Sequence, residues 1–331
     1  MSFERLTQAF GVAGYEREVA DIIRELAAPH ADDITTDAIG NVIVTRRGNG
    51  SDRKRIMLAA HMDEIGVQVT KIEESGLIRV KMLGSVWVPT FYQSRVRFRN
   101  GVAGIVSASV KPDDIKNDFT KMYIDIGATS KEEAARHVRI GDVACHDGPW
   151  LPLLNNRVAV KAVDDRVGCH ILLETLRRIG TPYHDLLFVF TVQEEVGCRG
   201  SKVTAARLKP DIGVSVDVTP AHDHPGDLEG SNALGAGVAI KISDTSVLCD
   251  EGLIAQLEAR CEAGGIPYQR EVLYVGGTDA SSMNLSNEGV RVAGISVVTR
   301  YTHGHNAIVS LDDVECAIRL LEAWLPQETL G

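Results

Sequence analysis

Five side chains of metal-ligand type stand at the ends of separate apolar runs: His61 in AAHMDEIG, Asp164 in KAVDDRVG, Glu195 in TVQEEVG, Asp217 in VSVDVTP and His303 in TRYTHGH. Two imidazoles and three carboxylates are the donor set of a pair of divalent ions that share one bridging carboxylate. Asp164 is assigned as the bridge, with His61 and Asp217 completing one ion and Glu195 and His303 the other. Zinc is the leading choice, and cobalt and manganese stay open because all three accept imidazole with carboxylate. A water shared by two such ions loses a proton near neutral pH and becomes the nucleophile of a metal-assisted hydrolysis. Glu194 precedes a ligand and binds no ion in this scheme, so it is free to act as general base. Asp63, two residues beyond His61, is placed to hydrogen-bond the second imidazole nitrogen and fix its tautomer.

Taken singly, each group has an ordinary structural role. Glu194–Glu195 fits a solvated loop, His61 a hydrogen-bonded core histidine, and Asp164–Asp165 a helix cap. Asp217 is harder to place that way, because it interrupts an apolar strand and a buried unpaired carboxylate is costly. Together the structural roles require five coincidences at strand ends. His222 and His224 form a HisXHis pair in the turn-like AHDHPGD and read as a rim loop, while His305 competes with His303. Gly276-Gly277-Thr278-Asp279-Ala280 lacks GxGxxG spacing; it is either a tight turn into a helix or a wall of the cleft.

These side chains need elements that bring them to one place. LLFVFTV at 186–192, IGVSVDV at 212–218 and RVAGISVV at 291–298 are continuous apolar runs, each followed or preceded by helical periodicity. Such runs predict an α/β fold: a mostly parallel mixed sheet covered by helices on both faces. In open α/β sheets ligands bind beyond the carboxyl ends of the strands, where His61, Glu195, Asp217 and His303 fall. Val19, Ile22, Ile23 and Leu26 predict a helix ended by Pro29, and Ser310–Asp313 a capping box that opens a final helix before Pro326. From 68 to 157 short alternating runs punctuated by glycine, with a second capping box at Ser130–Glu133, predict an inserted smaller β-rich domain. The catalytic domain is then 1–67 plus 158–331, which suits a chain of 331 residues.

The bulk composition excludes several classes. A net charge of −10 without a basic block argues against a nucleic-acid or anionic-membrane partner. Apolar runs such as LLFVF are too short to span a bilayer, and the start MSFERLTQAFGV lacks an apolar signal segment. Six cysteines with no CxxC pair read as reduced thiols of a cytoplasmic protein.

The motifs GYEREV, DAIGNVIV, AAHMDEIGV, MYIDIGATSKEEA, KAVDDRVG, FTVQEEVGCRGS, VDVTPAHDHPG, GGTDASSMN and TRYTH follow one another along nearly the whole chain. In these the chain resembles the tetrahedral (TET) aminopeptidases, dinuclear metallo-aminopeptidases also labelled glutamyl aminopeptidase or cellulase M (endoglucanase M). The resemblance implies ligands at His61, Asp164 (bridging), Glu195, Asp217 and His303, a general base at Glu194, and His303 rather than His305 as the last ligand. It implies that the inserted module builds dimers and that six dimers close into a hollow dodecamer. The chain departs from the family in Gly304 and His305, where a hydroxyl residue and a proline are usual, and in the imidazoles of His222 and His224. The expected activity is metal-dependent removal of N-terminal residues from short peptides with free N-termini. A carboxypeptidase or N-deacylase with the same dinuclear core is the alternative. A glycosidase fits poorly, since its two carboxyls stand free of metal, about 5–9.5 Å apart.

Overall fold

A strand apolar at every residue is stable only with both faces covered, and alternate side chains then enter two different cores. The computed structural model describes residues 2–85, 87–225 and 229–330, and it shows this arrangement. In the strand Arg55–His61, Ile56, Leu58 and Ala60 enter the main core, whereas Met57 and Ala59 enter a second core on the opposite face. The first face is covered by the helices Val163–Arg178, Leu311–Trp324 and Arg17–Ala27, which supply Val167, Ile171, Leu321 and Ile23. The second is covered by Arg199–Leu208 and Asp279–Asn284, which supply Ala205 and Met283.

Among the described residues the sheet has eleven strands. Its path runs Asp33–Thr36, Val42–Arg46, Asp185–Thr191, Arg55–His61, Ile212–Pro220, Arg291–Arg300, Ala307–Ser310, Arg157–Val160, Leu151–Leu153. Val238–Ser243 joins Arg291–Arg300 off this path and carries Tyr268–Val272 at its side. The expected α/β fold with a mixed sheet is present. Parallel pairing is concentrated in the four central strands from Asp185–Thr191 to Arg291–Arg300, and the flanks of the path are antiparallel. The reason is connection length: Asp33–Thr36 and Val42–Arg46 are joined by a short turn in which Asp37 Oδ1 accepts from the amides of Ile39, Gly40 and Asn41. A short turn permits only antiparallel neighbours.

The central strands set the site. Thr191 pairs with His61, and Ser215 pairs with Ala59, so Asp217 ends level with His61 at the same rim. The six strands Gly66–Ile72, Ile78–Leu83, Met122–Asp125, Ala103–Ala108, Arg95–Phe98 and Val143–His146 close into a separate barrel. The barrel has its own core, including Val67, Val80, Phe98, Val106 and Ile124. The chain re-enters the large sheet at Leu151. The hydroxyl half of both capping boxes is formed, Ser130 Oγ accepting from the Glu133 amide and Ser310 Oγ from that of Asp313, but the returning carboxylates are spent elsewhere: Glu133 accepts from the Thr129 amide and Asp313 from those of Gly235 and Gly237. All six cysteines are free. No helix among the described residues is long and apolar enough to cross a membrane.

Candidate active site

Two imidazoles flank one carboxylate. His61 Nε2 lies 3.0 Å from Asp164 Oδ1, and His303 Nε2 lies 3.1 Å from Asp164 Oδ2. Glu195 Oε1 stands 3.4 Å from His303 Nε2. Glu194 Oε2 stands 3.9 Å from His61 Nε2. Asp217 gathers with His61 and Asp165, their ligand atoms all within 4.8 Å of one another. All five predicted ligands and Glu194 line one cleft of about 480 Å³.

Local structure explains each position. Asp164 and Asp165 have non-helical backbone angles, so Asp164 sits just before the regular helix rather than inside it; the peptide between them is cis. Asp165 is committed to the backbone, its two oxygens accepting from the amides of His61 (3.1 Å) and Gly168 (2.9 Å). Gln193 adopts φ +57°, turning the chain so that Glu194 and Glu195 face the cleft. That turn is braced from two sides. Asp63 accepts from the amides of Glu194 and Glu195 at 2.9 and 3.1 Å, and Glu16 Oε1 accepts from that of Gln193 at 3.1 Å. Gly84, at φ +88°, lies against the site: a Cβ there would stand 2.7 Å from Ile65 and 3.2 Å from Glu195.

Asp63 therefore differs from expectation. His61 Nδ1 lies 3.1 Å from the Asp63 carbonyl oxygen and 3.5 Å from its carboxylate. The carboxylate is drawn to two amides that need an acceptor, and the main chain takes over the imidazole. His303 Nδ1 is held the same way, 2.6 Å from the carbonyl of Ser85. His305 joins no ligand group among the described residues, and its ring lies 5.8 Å from that of His146. His224 packs 5.3 Å from Tyr301, and neither it nor His222 joins a ligand group among the described residues. The end of that loop, 226–228, lies outside the described residues. Gly276, Gly277 and Thr278 line the cleft, and Asp279 is buried behind it, accepting from Thr191 Oγ1 at 2.6 Å. Three residues were not singled out from the sequence. Asp165 and Asp279 were visible only as the second half of a doublet and as part of a turn. Cys198, whose thiol donates to Glu194 Oε1 at 3.0 Å, carried no signal.

The electrostatics are those of crowded acids. Burial pushes Glu195 up to about 7 and drives Glu194, Asp165 and Asp217 well above the carboxylate range. Burial opposes charge on His61 too, but the neighbouring carboxylates of Asp164, Asp63 and Glu194 outweigh it and raise the imidazole well above its ordinary value. At Asp164 burial is overcome by His303 and His61, which hold it below the usual range. Glu195 Oε1 is buried without a hydrogen-bond partner. Unpaired lone pairs among buried carboxylates and neutralisable imidazoles are what a divalent cation satisfies, so the donor set fits metal.

The M42 glutamyl aminopeptidase family model matches residues 40–320. A relative from Acetivibrio thermocellus, named "Putative aminopeptidase", is 41% identical over 319 residues, covering 96% of this chain and 96% of its own. An aminopeptidase structure from the archaeon Desulfurococcus kamchatkensis superposes with a TM-score of 0.94 at 36% identity, over 99% of this chain and 94% of that one. The TET1 peptidase of Pyrococcus horikoshii, described as assembling into a tetrahedron or a large octahedral shell, gives 0.87 at 31% identity over 99% of each chain. On these matches the chain belongs to the M42 glutamyl aminopeptidase family and is a peptidase.

Proposed function

We propose that this chain is a dinuclear metal-dependent exo-aminopeptidase acting on short peptides with free N-termini. One observation carries the reading: Asp164 presents one oxygen to each of two imidazoles, the disposition of a carboxylate shared by two ions. His61 and Asp217 would hold one divalent ion, Glu195 and His303 the other, with Asp164 between them. When bound, such ions polarise the scissile carbonyl and lower the pKa of water. Glu194 accepts the proton of the attacking water and passes it to the departing amine nitrogen. Its carboxyl suits that task because it is largely buried and accepts from no stronger side-chain donor than the thiol of Cys198, with His61 Nε2 3.9 Å away. Asp63 acts at one remove, holding the backbone of Glu194 and Glu195 in register with His61.

The domains follow the same reading with shifted edges: the expected 67 and 158 move to about 65 and 151, because Gly66–Ile72 lies in the barrel and Leu151–Leu153 in the large sheet, so the flanking parts form the catalytic unit and the inserted β-rich unit between them builds dimers. The assembly is a homo-dodecamer of six dimers, for which the shells of the P. horikoshii relative are the support. Light scattering tests this: a particle of twelve chain masses is expected.

The activity is tested by a mass-spectrometric time course on short peptides, free and N-acetylated, with metal-loaded and chelated enzyme. Stepwise loss of residues from free N-termini alone, abolished by chelation, is expected. Cleavage of acetylated peptides or from C-termini would move the chain to the deacylase or carboxypeptidase alternative.

A further inference from the structure

Beside the acids, the cleft has a wall of different chemistry. Val218 and Pro220 come from the strand Ile212–Pro220, and Leu273 and Val275 from the segment after Tyr268–Val272. This segment is fixed: the Leu273 amide donates to the Ser243 carbonyl at 3.0 Å and Thr245 Oγ1 to that of Gly276 at 2.5 Å. Apart from the acids and imidazoles already assigned, Lys241 is the single charged side chain among the described residues lining the cleft. Its charge is consumed internally. Lys241 is 1% exposed and pairs with Glu271 and, at 3.2 Å, with Asp244. Both carboxylates have no exposed side-chain surface. One ammonium held by two carboxylates has no call for a third, and those carboxylates cannot be reached by a substrate cation. The rest of the wall is glycine, hydroxyl and thiol.

We propose that this wall receives the side chain of the substrate's N-terminal residue and selects neutral, chiefly apolar residues of leucine or methionine size over both acidic and basic ones. The proposal rests on the aminopeptidase reading and adds the specificity of the same cleft. An apolar side chain gains from leaving water against Val218, Leu273 and Val275. A glutamyl or lysyl side chain would be desolvated there without a counter-charge. The family description "glutamyl" therefore does not carry over to this member's preference.

The test compares kcat/KM of the full-length, cobalt- or zinc-loaded enzyme on Leu-, Met-, Glu- and Lys-Ala-Ala. Free leucine, glutamate and lysine are titrated calorimetrically into metal-loaded Glu194→Gln protein, giving a readout independent of turnover. Leu and Met peptides are expected to lead Glu and Lys peptides by about 10-fold or more, since single-group differences in an apolar pocket are worth about 10–200-fold. Leucine should likewise bind most tightly. Val275→Lys, at a position 45% exposed and able to take a charge without unfolding, should raise the Glu/Leu ratio about 10-fold or more. Preference for Glu or Lys peptides, or an unchanged ratio in Val275→Lys, overturns the specificity while leaving the aminopeptidase reading intact. Failure of every free N-terminus to be trimmed, with acetylated peptides cleaved instead, overturns both.

Discussion

Replacing Glu64 by glutamine removes a carboxylate that faces two buried cations. Lys161 Nζ donates to both Glu64 oxygens at 2.8 Å, and Arg166 Nη2 to one of them at 3.2 Å. All three side chains are buried. Arg166 also donates to the carbonyls of Met62, Leu6, Ala9 and Gly11, and the Glu64 amide donates to the Gly11 carbonyl. The cluster thus ties the N-terminal segment 6–11 to the two stretches that carry His61 and Asp164. With glutamine in place, two cations remain without an anion, and breaking a buried pair this way costs about 3–5 kcal/mol. At roughly 2–4 °C per kcal/mol for chains of somewhat smaller size, the melting temperature falls on the order of 10 °C.

A second substitution separates charge from packing. Lys161→Met alone leaves the Glu64–Arg166 pair intact and is expected to cost less, about 1–3 kcal/mol. In the double variant Arg166 keeps its four carbonyl acceptors and no surplus lysine remains, so the loss should be smaller than the sum of the singles by at least about 1 kcal/mol. Thermal and urea unfolding of the three variants at one pH, metal load and protein concentration measures this cycle. A Glu64→Gln protein within about 1 kcal/mol of the parent, or strict additivity in the double variant, would refute the reasoning.

Glu194→Gln is expected to retain two metal ions per chain by elemental analysis while kcat falls about 10²–10⁴-fold; loss of the ions would contradict its role as base. Gly168→Ala should cost about 1–3 kcal/mol in denaturant melts, because its Cβ would stand 2.4 Å from Asp165 Oδ1 and 2.6 Å from the Val216 carbonyl oxygen; an unchanged midpoint would show that the helix shifts freely. Burial, helped by His305, lowers the His146 pKa to about 3, so the folded state binds fewer protons than the unfolded one between that value and the ordinary 6.5. The stability this imidazole contributes is complete above about 6.5 and is lost as pH falls toward 3. His146→Phe, which keeps a ring against Phe91, should flatten that limb of a stability–pH curve; an unaltered curve counts against it.

What the sequence made legible was whatever depends on periodicity along one segment. The apolar runs at 186–192 and 212–218 lie in sheet-centre strands because no other element buries every residue on both sides. Ligand-type residues at their carboxyl ends meet because parallel strands share a rim. What was not legible depends on which of two nearby groups meets a partner from elsewhere. Asp63 turned toward the amides of a loop 131 residues later, and its carbonyl took the imidazole. Asp164 and Asp165 look alike in the sequence, yet one faces two imidazoles and the other is spent on backbone amides. Antiparallel flanks and barrel closure likewise follow from pairings between strands, and a strand's own pattern does not state its neighbour.

The buried charges explain why a structural reading of the acidic cluster is the weaker one. Lys161, Arg166 and Lys241 are buried near the site and could in principle neutralise it. Lys161 and Arg166 are spent on Glu64 and on main-chain carbonyls, and Lys241 on Glu271 and Asp244. An acid cluster that served only to hold the fold together would be expected to draw on those cations, because an unpaired buried carboxylate costs more than any packing it provides. Here Asp164, Glu195 and Asp217 keep two imidazoles as their basic neighbours and leave Glu195 Oε1 without a donor. The fold invests its permanent positive charge in fixing the peptide segments around the cleft and leaves the ligand-type groups uncommitted, so that, on the proposed dinuclear reading, stability of the scaffold and loading of the site would be separable properties.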